Sequence, residues 1–141
     1  MAADNFNLTW DNFEKCTTTA FERLYSDEEF TDVTLVCDEE KRIKAHKVIL
    51  SACSPVFRSI LSRNPHQHPL IYLKSISFDN IRSMIKFMYL GKTEVSQECL
   101  TEFLKTAKEF EIEGFSEDLF QNVYDNQQFQ VEKTKLKTKS L

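Results

Sequence analysis

Glycine is nearly missing from this 141-residue chain: there are two. So few argue against a β-rich sandwich or barrel, whose turns need glycine, and against a glycine-rich loop that cradles phosphate. No uninterrupted apolar run approaches 18 residues, which excludes a membrane-spanning helix by length. Met1-Ala-Ala-Asp-Asn5 has neither a basic start nor an apolar stretch, so no secretory signal is expected. The three histidines fall in no Ser-His-Asp or Cys-His spacing. His66 and His68 lie close together, but in a proline-punctuated loop without nearby acidic or cysteine partners, a weak pattern for a metal. No pair among the four cysteines (16, 37, 53 and 99) has C-x-x-C spacing. Free, mostly buried thiols in a reducing compartment, cytosol or nucleus, are therefore expected. No catalytic residue, cofactor or metal site is expected.

What the chain does contain is apolar substance: 41% hydrophobic content and twelve phenylalanines, enough for one domain with a real core. Its charge is unevenly spread. Residues 1–130 carry 14 Lys+Arg against 21 Asp+Glu, and residues 131–141 four lysines against one glutamate, together the net −4. The acidic body repels phosphate backbones, so direct nucleic-acid binding is not expected of it. The basic end has no apolar period, and residues 129–141 read as a disordered linker after a domain of residues 1–128.

Periodicity outlines an α+β fold, a small sheet wrapped by helices. Phe6, Leu8 and Trp10 alternate with polar residues, a strand pattern at the terminus that either folds back as an edge strand or adds to another subunit's sheet. Asp11 and Glu14 suggest a capping box for a helix with Phe13, Cys16, Ala20, Phe21 and Leu24 on one face, ending near residue 26. Val33, Leu35 and Cys37, then Ile43 and Ala45, predict two strands joined by the acidic turn Asp38-Glu-Glu40. A helix follows with Val48, Ile49, Ala52 and Cys53 on its apolar face. Ser54-Pro55 restarts the chain as a second helix lined by Val56, Phe57, Ile60 and Leu61, with Ser54 as N-cap and Pro55 at the first position. Leu70–Leu73 is a short strand. Ser77 opens a helix with Ile81, Met84, Ile85, Met88 and Tyr89 inward, which Gly91 ends. Thr93–Val95 reads as a brief strand. Ser96 caps a helix with Leu100, Phe103, Leu104 and Ala107 inward, its run ended by Gly114, and a last helix from Ser116 carries Leu119, Phe120, Val123 and Tyr124.

Two long stretches carry a family resemblance: Asp32-Val-Thr-Leu-Val36 and Lys44-Ala-His-Lys-Val-Ile-Leu-Ser-Ala-Cys-Ser-Pro-Val-Phe57, joined later by Phe87-Met-Tyr-Leu-Gly91. Over roughly residues 6 to 125 the chain resembles the BTB/POZ family. Phe6-x-Leu8-x-Trp10-x-Asn12 is similar to the N-terminal motif of the tramtrack-type BTB domains, typical of arthropod zinc-finger transcription factors, and departs from it at Thr9 and Asp11. The resemblance implies a nuclear homodimer and, through an N-terminal strand of this type, a multimer of dimers. It implies a dimer interface of Phe13, Cys16, Ala20, Phe21, Leu24, His46 and Val48, and a multimerisation strand of Phe6, Leu8 and Trp10. It places Asp32 and Lys47 together in a charged pocket at that interface. The alternative on the residues alone makes Asp32 a solvated strand-end carboxylate and Lys47 a surface lysine, with His46 a hydrogen-bonded packing residue. The implied partners are the chain itself, other BTB domains and co-regulators of transcription or chromatin. The alternative the family offers is a substrate adaptor docking a cullin-based ubiquitin ligase.

Overall fold

The computed structural model describes residues 3–115, which form five α-helices and one three-stranded sheet. In order these are α1 (Phe13–Asp27), β1 (Val33–Val36), a 3-10 turn (Asp38–Glu40), β2 (Arg42–Ala45), α2 (Lys47–Cys53), α3 (Pro55–Arg63), β3 (Leu70–Tyr72), α4 (Phe78–Leu90) and α5 (Gln97–Glu109). The helix expected from Ser116 and the basic linker lie outside the described residues.

The sheet order is β2-β1-β3, with β1 antiparallel to β2 (Leu35 opposite Ile43) and parallel to β3 (Leu35 opposite Ile71). A parallel pair needs a long connection; here the α2–α3 pair supplies it. All four residues of β1 are buried, so both its faces are covered rather than the one face that alternation predicts. The hairpin between β1 and β2 turns without glycine: Glu39 and Glu40 take positive φ (64° and 59°) instead, a conformation that glycine would enter at less cost.

Local chemistry fixes the helix ends. Ser54 is buried, and its Oγ accepts the Phe57 N–H (3.1 Å) while donating to the Phe110 carbonyl (2.6 Å). One hydroxyl thus caps α3 and ties it to the end of α5. The Ser77 hydroxyl accepts the Asn80 N–H at 3.2 Å, and Gly91, at φ 73°, ends α4 in the left-handed cap that favours glycine. The core gathers β1, α2, α3 and α4 around Leu35, Leu50, Phe57, Ile81 and Met84, with Phe103, Ala107 and Phe110 added from α5 and its end. Phe57 and Phe110 stack with centroids 4.8 Å apart.

Several expectations are corrected. α1 begins after Asn12, whose φ of 61° turns the chain into the helix, and Asn12 makes no side-chain cap; the helix does not start on an Asp11 capping box. Asparagine tolerates that left-handed geometry better than most residues. In α2 the buried pair is Ile49 and Leu50, while Val48 and Ala52 face outward. Thr93–Val95 forms no strand, and residues 3–10 do not fold back as an edge strand on the sheet of their own domain. Ser96 starts α5 without a side-chain cap bond. Of the thiols, Cys37 is buried and Cys53 half-buried, but Cys16 and Cys99 are exposed. Burial pushes the Cys37 and Cys53 thiols up from their ordinary value, away from the reactive thiolate.

Candidate functional site

Large apolar side chains on the outside form the most conspicuous surface. Phe6 is 85% exposed, Leu8 94%, Trp10 62%, Phe13 54% and Val48 71%. Trp10 packs edge-on against Phe13 with centroids 5.2 Å apart, so the N-terminal segment runs into the start of α1 as one apolar stretch. No residue of α1 is fully buried. The apolar face expected of this helix is divided: Phe21 and Leu24, together with Tyr25, lean on the core, while Phe13, Cys16 and Ala20 face outward. A helix so placed has an apolar stripe wider than its own domain covers.

The second arrangement lies where α1, β1 and α2 meet. Asp32 and Lys47 are brought together, through the backbone rather than as an ion pair: Asp32 Oδ1 accepts the Lys47 N–H at 2.7 Å. Because His46 gives α2 no side-chain cap, the Asp32 carboxylate serves as a cap from outside the helix, well matched to the positive end of its dipole. The Lys47 ammonium instead donates to the carbonyls of His66 and Gln67. Among the described residues the ion pairs are Glu39–Lys41 and Asp79–Arg82. The charged-pair geometry expected of Asp32 and Lys47 is therefore replaced, in the single chain, by two separate backbone anchors.

His46 is buried between two oxygens. Its Nε2 meets the Glu29 carbonyl and its Nδ1 the Tyr89 hydroxyl at 2.6 Å. A carbonyl only accepts, which assigns the proton of the neutral ring to Nε2 and makes Nδ1 the acceptor of the Tyr89 O–H. The same hydroxyl accepts the His46 N–H at 2.9 Å. Burial pushes the Tyr89 hydroxyl up to about 12; the His46 N–H opposes that rise and the nearby Asp32 carboxylate adds to it. His46 is thus a hydrogen-bonded packing residue, as its sequence context suggests. Tyr89 and Tyr25, whose rings lie 5.8 Å apart, are the residues the sequence reading left out of this site. The available signal was a tyrosine at a core position of α4, since a buried hydroxyl needs a partner.

His68 is held by the Thr34 hydroxyl at 2.8 Å, and among the described residues no three of His, Cys, Asp and Glu are placed to hold a metal ion. What the geometry offers is surface: an apolar N-terminal segment, an outward helix face and a rigid support beneath them.

A small sheet enclosed by helices, with large apolar side chains exposed along the N-terminal segment, at the start of α1 and at Phe30, Val48, Leu70 and Tyr72, has the surface of a protein–protein association module. The BTB/POZ domain model matches residues 21–127, and the chain belongs to the BTB/POZ family. It is 45% identical over 118 residues to the Longitudinals lacking protein-like of Drosophila melanogaster, covering 83% of this chain and 92% of that protein. It is 41% identical over 122 residues to the Broad-complex core protein isoforms 1/2/3/4/5 of the same fly, covering 86% of this chain and 17% of that protein. Identity to Protein tramtrack, alpha isoform, also of Drosophila melanogaster, is 41% over 117 residues, 83% of this chain and 14% of that one. The BTB domain of zebrafish PATZ1 shares the fold, with a TM-score of 0.65 at 23% identity over 92% of this chain and 99% of that one.

Proposed function

We propose that this domain homodimerises through α1 and joins dimers into larger assemblies through residues Phe6 to Trp10, so as to multimerise a nuclear regulator of transcription or chromatin. The observation that carries the reading is the continuous exposed apolar run Phe6, Leu8, Trp10 and Phe13, followed by the outward Cys16 and Ala20 of α1. Burying each large side chain of that run is worth roughly 1.5–3 kcal/mol, a strong drive to find a partner. Val48 adds to the same apolar excess, and Asp32, Lys47 and His46 hold the α1–β1 connection and α2 rigid beside it. A segment with alternate apolar side chains and no ladder of its own is suited to strand addition between subunits.

The domain covers 17% of the Broad-complex protein and 14% of tramtrack. That supports a role as the association module of a longer regulator, whose DNA-contacting and co-regulator functions reside elsewhere. A second reading has its own support: this chain covers 92% of the Longitudinals lacking protein-like. A protein of that extent holds little besides such a domain, which suits a multimeriser acting on other BTB chains. Sedimentation at nanomolar concentration tests what both readings share. A dimer or larger species is expected; a folded monomer there overturns the proposal.

A further inference from the structure

A groove of about 520 Å³ opens between the end of α1, the outer edge of β2 and α4. Its floor is apolar, formed by Leu24, Ile43 and Ile85. Its charges are one-sided: Arg42, Lys44 and Arg82 line it against Glu28 alone. This concentration of cations stands on a chain whose net charge is −4. Among the described residues neither Arg42 nor Lys44 is in an ion pair, and Arg82 meets Asp79 at 3.8 Å between two exposed side chains, a weak pairing. Arg82 also stands over the Phe78 ring, 5.8 Å from its centroid, which holds the guanidinium at the groove's edge.

The backbone adds direction. Among the described residues β2 is an edge strand, with no ladder partner on its outer side there. Arg42 and Lys44 are two residues apart on it and share a face. An extended chain laid along that edge presents every second side chain to the same face. Carboxylates at that spacing meet Arg42 and Lys44, and the intervening apolar side chains reach the floor.

We propose that this groove is a docking site for an extended acidic peptide of a partner protein, with carboxylates alternating with apolar residues. The site goes beyond the self-association reading, which uses Phe6–Phe13 and the outward face of α1. A nucleic acid is the poorer occupant: its phosphates lack apolar groups for the floor, and the net negative chain repels a polyanion.

The test is fluorescence anisotropy on the intact domain with labelled peptides in which glutamate alternates with leucine, isoleucine or tyrosine, and with glutamine counterparts. The glutamate peptides are expected to bind, weakening at high salt. Arg42→Glu with Lys44→Glu should weaken them roughly tenfold or more, while Lys105→Glu on α5, the same type of charge reversal elsewhere, leaves binding within about twofold. Arg82→Gln, a milder change, should give an intermediate loss and guards against misfolding of the double variant. Equal binding of glutamine peptides, or no effect of either groove variant, overturns the proposal. Displacement of the peptide by a single-stranded oligonucleotide overturns it in favour of phosphate. A fall in assembly mass for the double variant without peptide binding overturns it in favour of a second copy of this chain.

Discussion

Asp32 shows how much one side chain does when it is placed at the end of an element other than its own. Its carboxylate receives the first N–H of α2, a helix whose preceding residue, His46, is occupied elsewhere. The bond needs an acceptor oxygen more than it needs a charge. Asp32→Asn retains such an oxygen and should lower stability by a few tenths of a kcal/mol, whereas Asp32→Ala should lower it by about 1–2 kcal/mol. Urea denaturation of the two variants checks this; equal losses would mean that the charge itself, held in the assembled protein, is what matters. The sequence placed Asp32 and Lys47 together, because the family motif does. It did not show that contact runs through the Lys47 N–H, since spacing along a chain says nothing of which atom of a side chain is free to meet it.

At the scale of elements, several local signals were legible, although the Asp11 capping box and the Ser96 cap offered bonds that α1 and α5 do not make. Ser54-Pro55, Ser77 and Gly91 declared their helix ends because a cap is satisfied within a few residues. The face of α4 was readable for the same reason. Val48 and the N-terminal segment were not, because alternation or helical spacing identifies side chains that want burial without showing what will bury them. Phe6, Leu8 and Trp10 have a strand's pattern and, among the described residues, no strand's ladder. If this element joins dimers, replacing Leu8 and Trp10 by serine should reduce the light-scattering mass to that of a folded dimer and leave the helical circular dichroism unchanged. A wild type already fixed at dimer mass at micromolar concentration sinks that assignment.

For the whole molecule, Tyr89 is a meeting point: its hydroxyl joins α4 to His46 at the start of α2, and His46 continues to the Glu29 carbonyl after α1. Its folded-state value, about 12, lies above the ordinary 10. The folded protein therefore keeps the proton where the unfolded chain has begun to lose it. The corresponding stability is complete below pH 10 and is lost as pH rises through about 12. Tyr89→Phe should flatten that alkaline fall in the urea midpoint, and lower stability at neutral pH by leaving His46 N–H and Nδ1 without their partner. An unchanged alkaline slope would show that the lysines, not Tyr89, set it. The α+β architecture was readable in advance; this junction was not, because its three parts are far apart in sequence.

The clasp between α3 and the end of α5 bears on synthesis. Ser54 donates to the Phe110 carbonyl, Phe57 stacks on the Phe110 ring, and the Glu113 N–H reaches the Cys53 carbonyl at 2.9 Å. A ribosome delivers Ser54 56 residues before Phe110. Until Phe110 is made, the Ser54 hydroxyl and one face of the Phe57 ring lack the partners they have in the folded domain. A product that stops before Phe110 lacks both contacts, and limited proteolysis should cut it faster than the full domain; equal cutting would show that the rest of the core holds α3 without them.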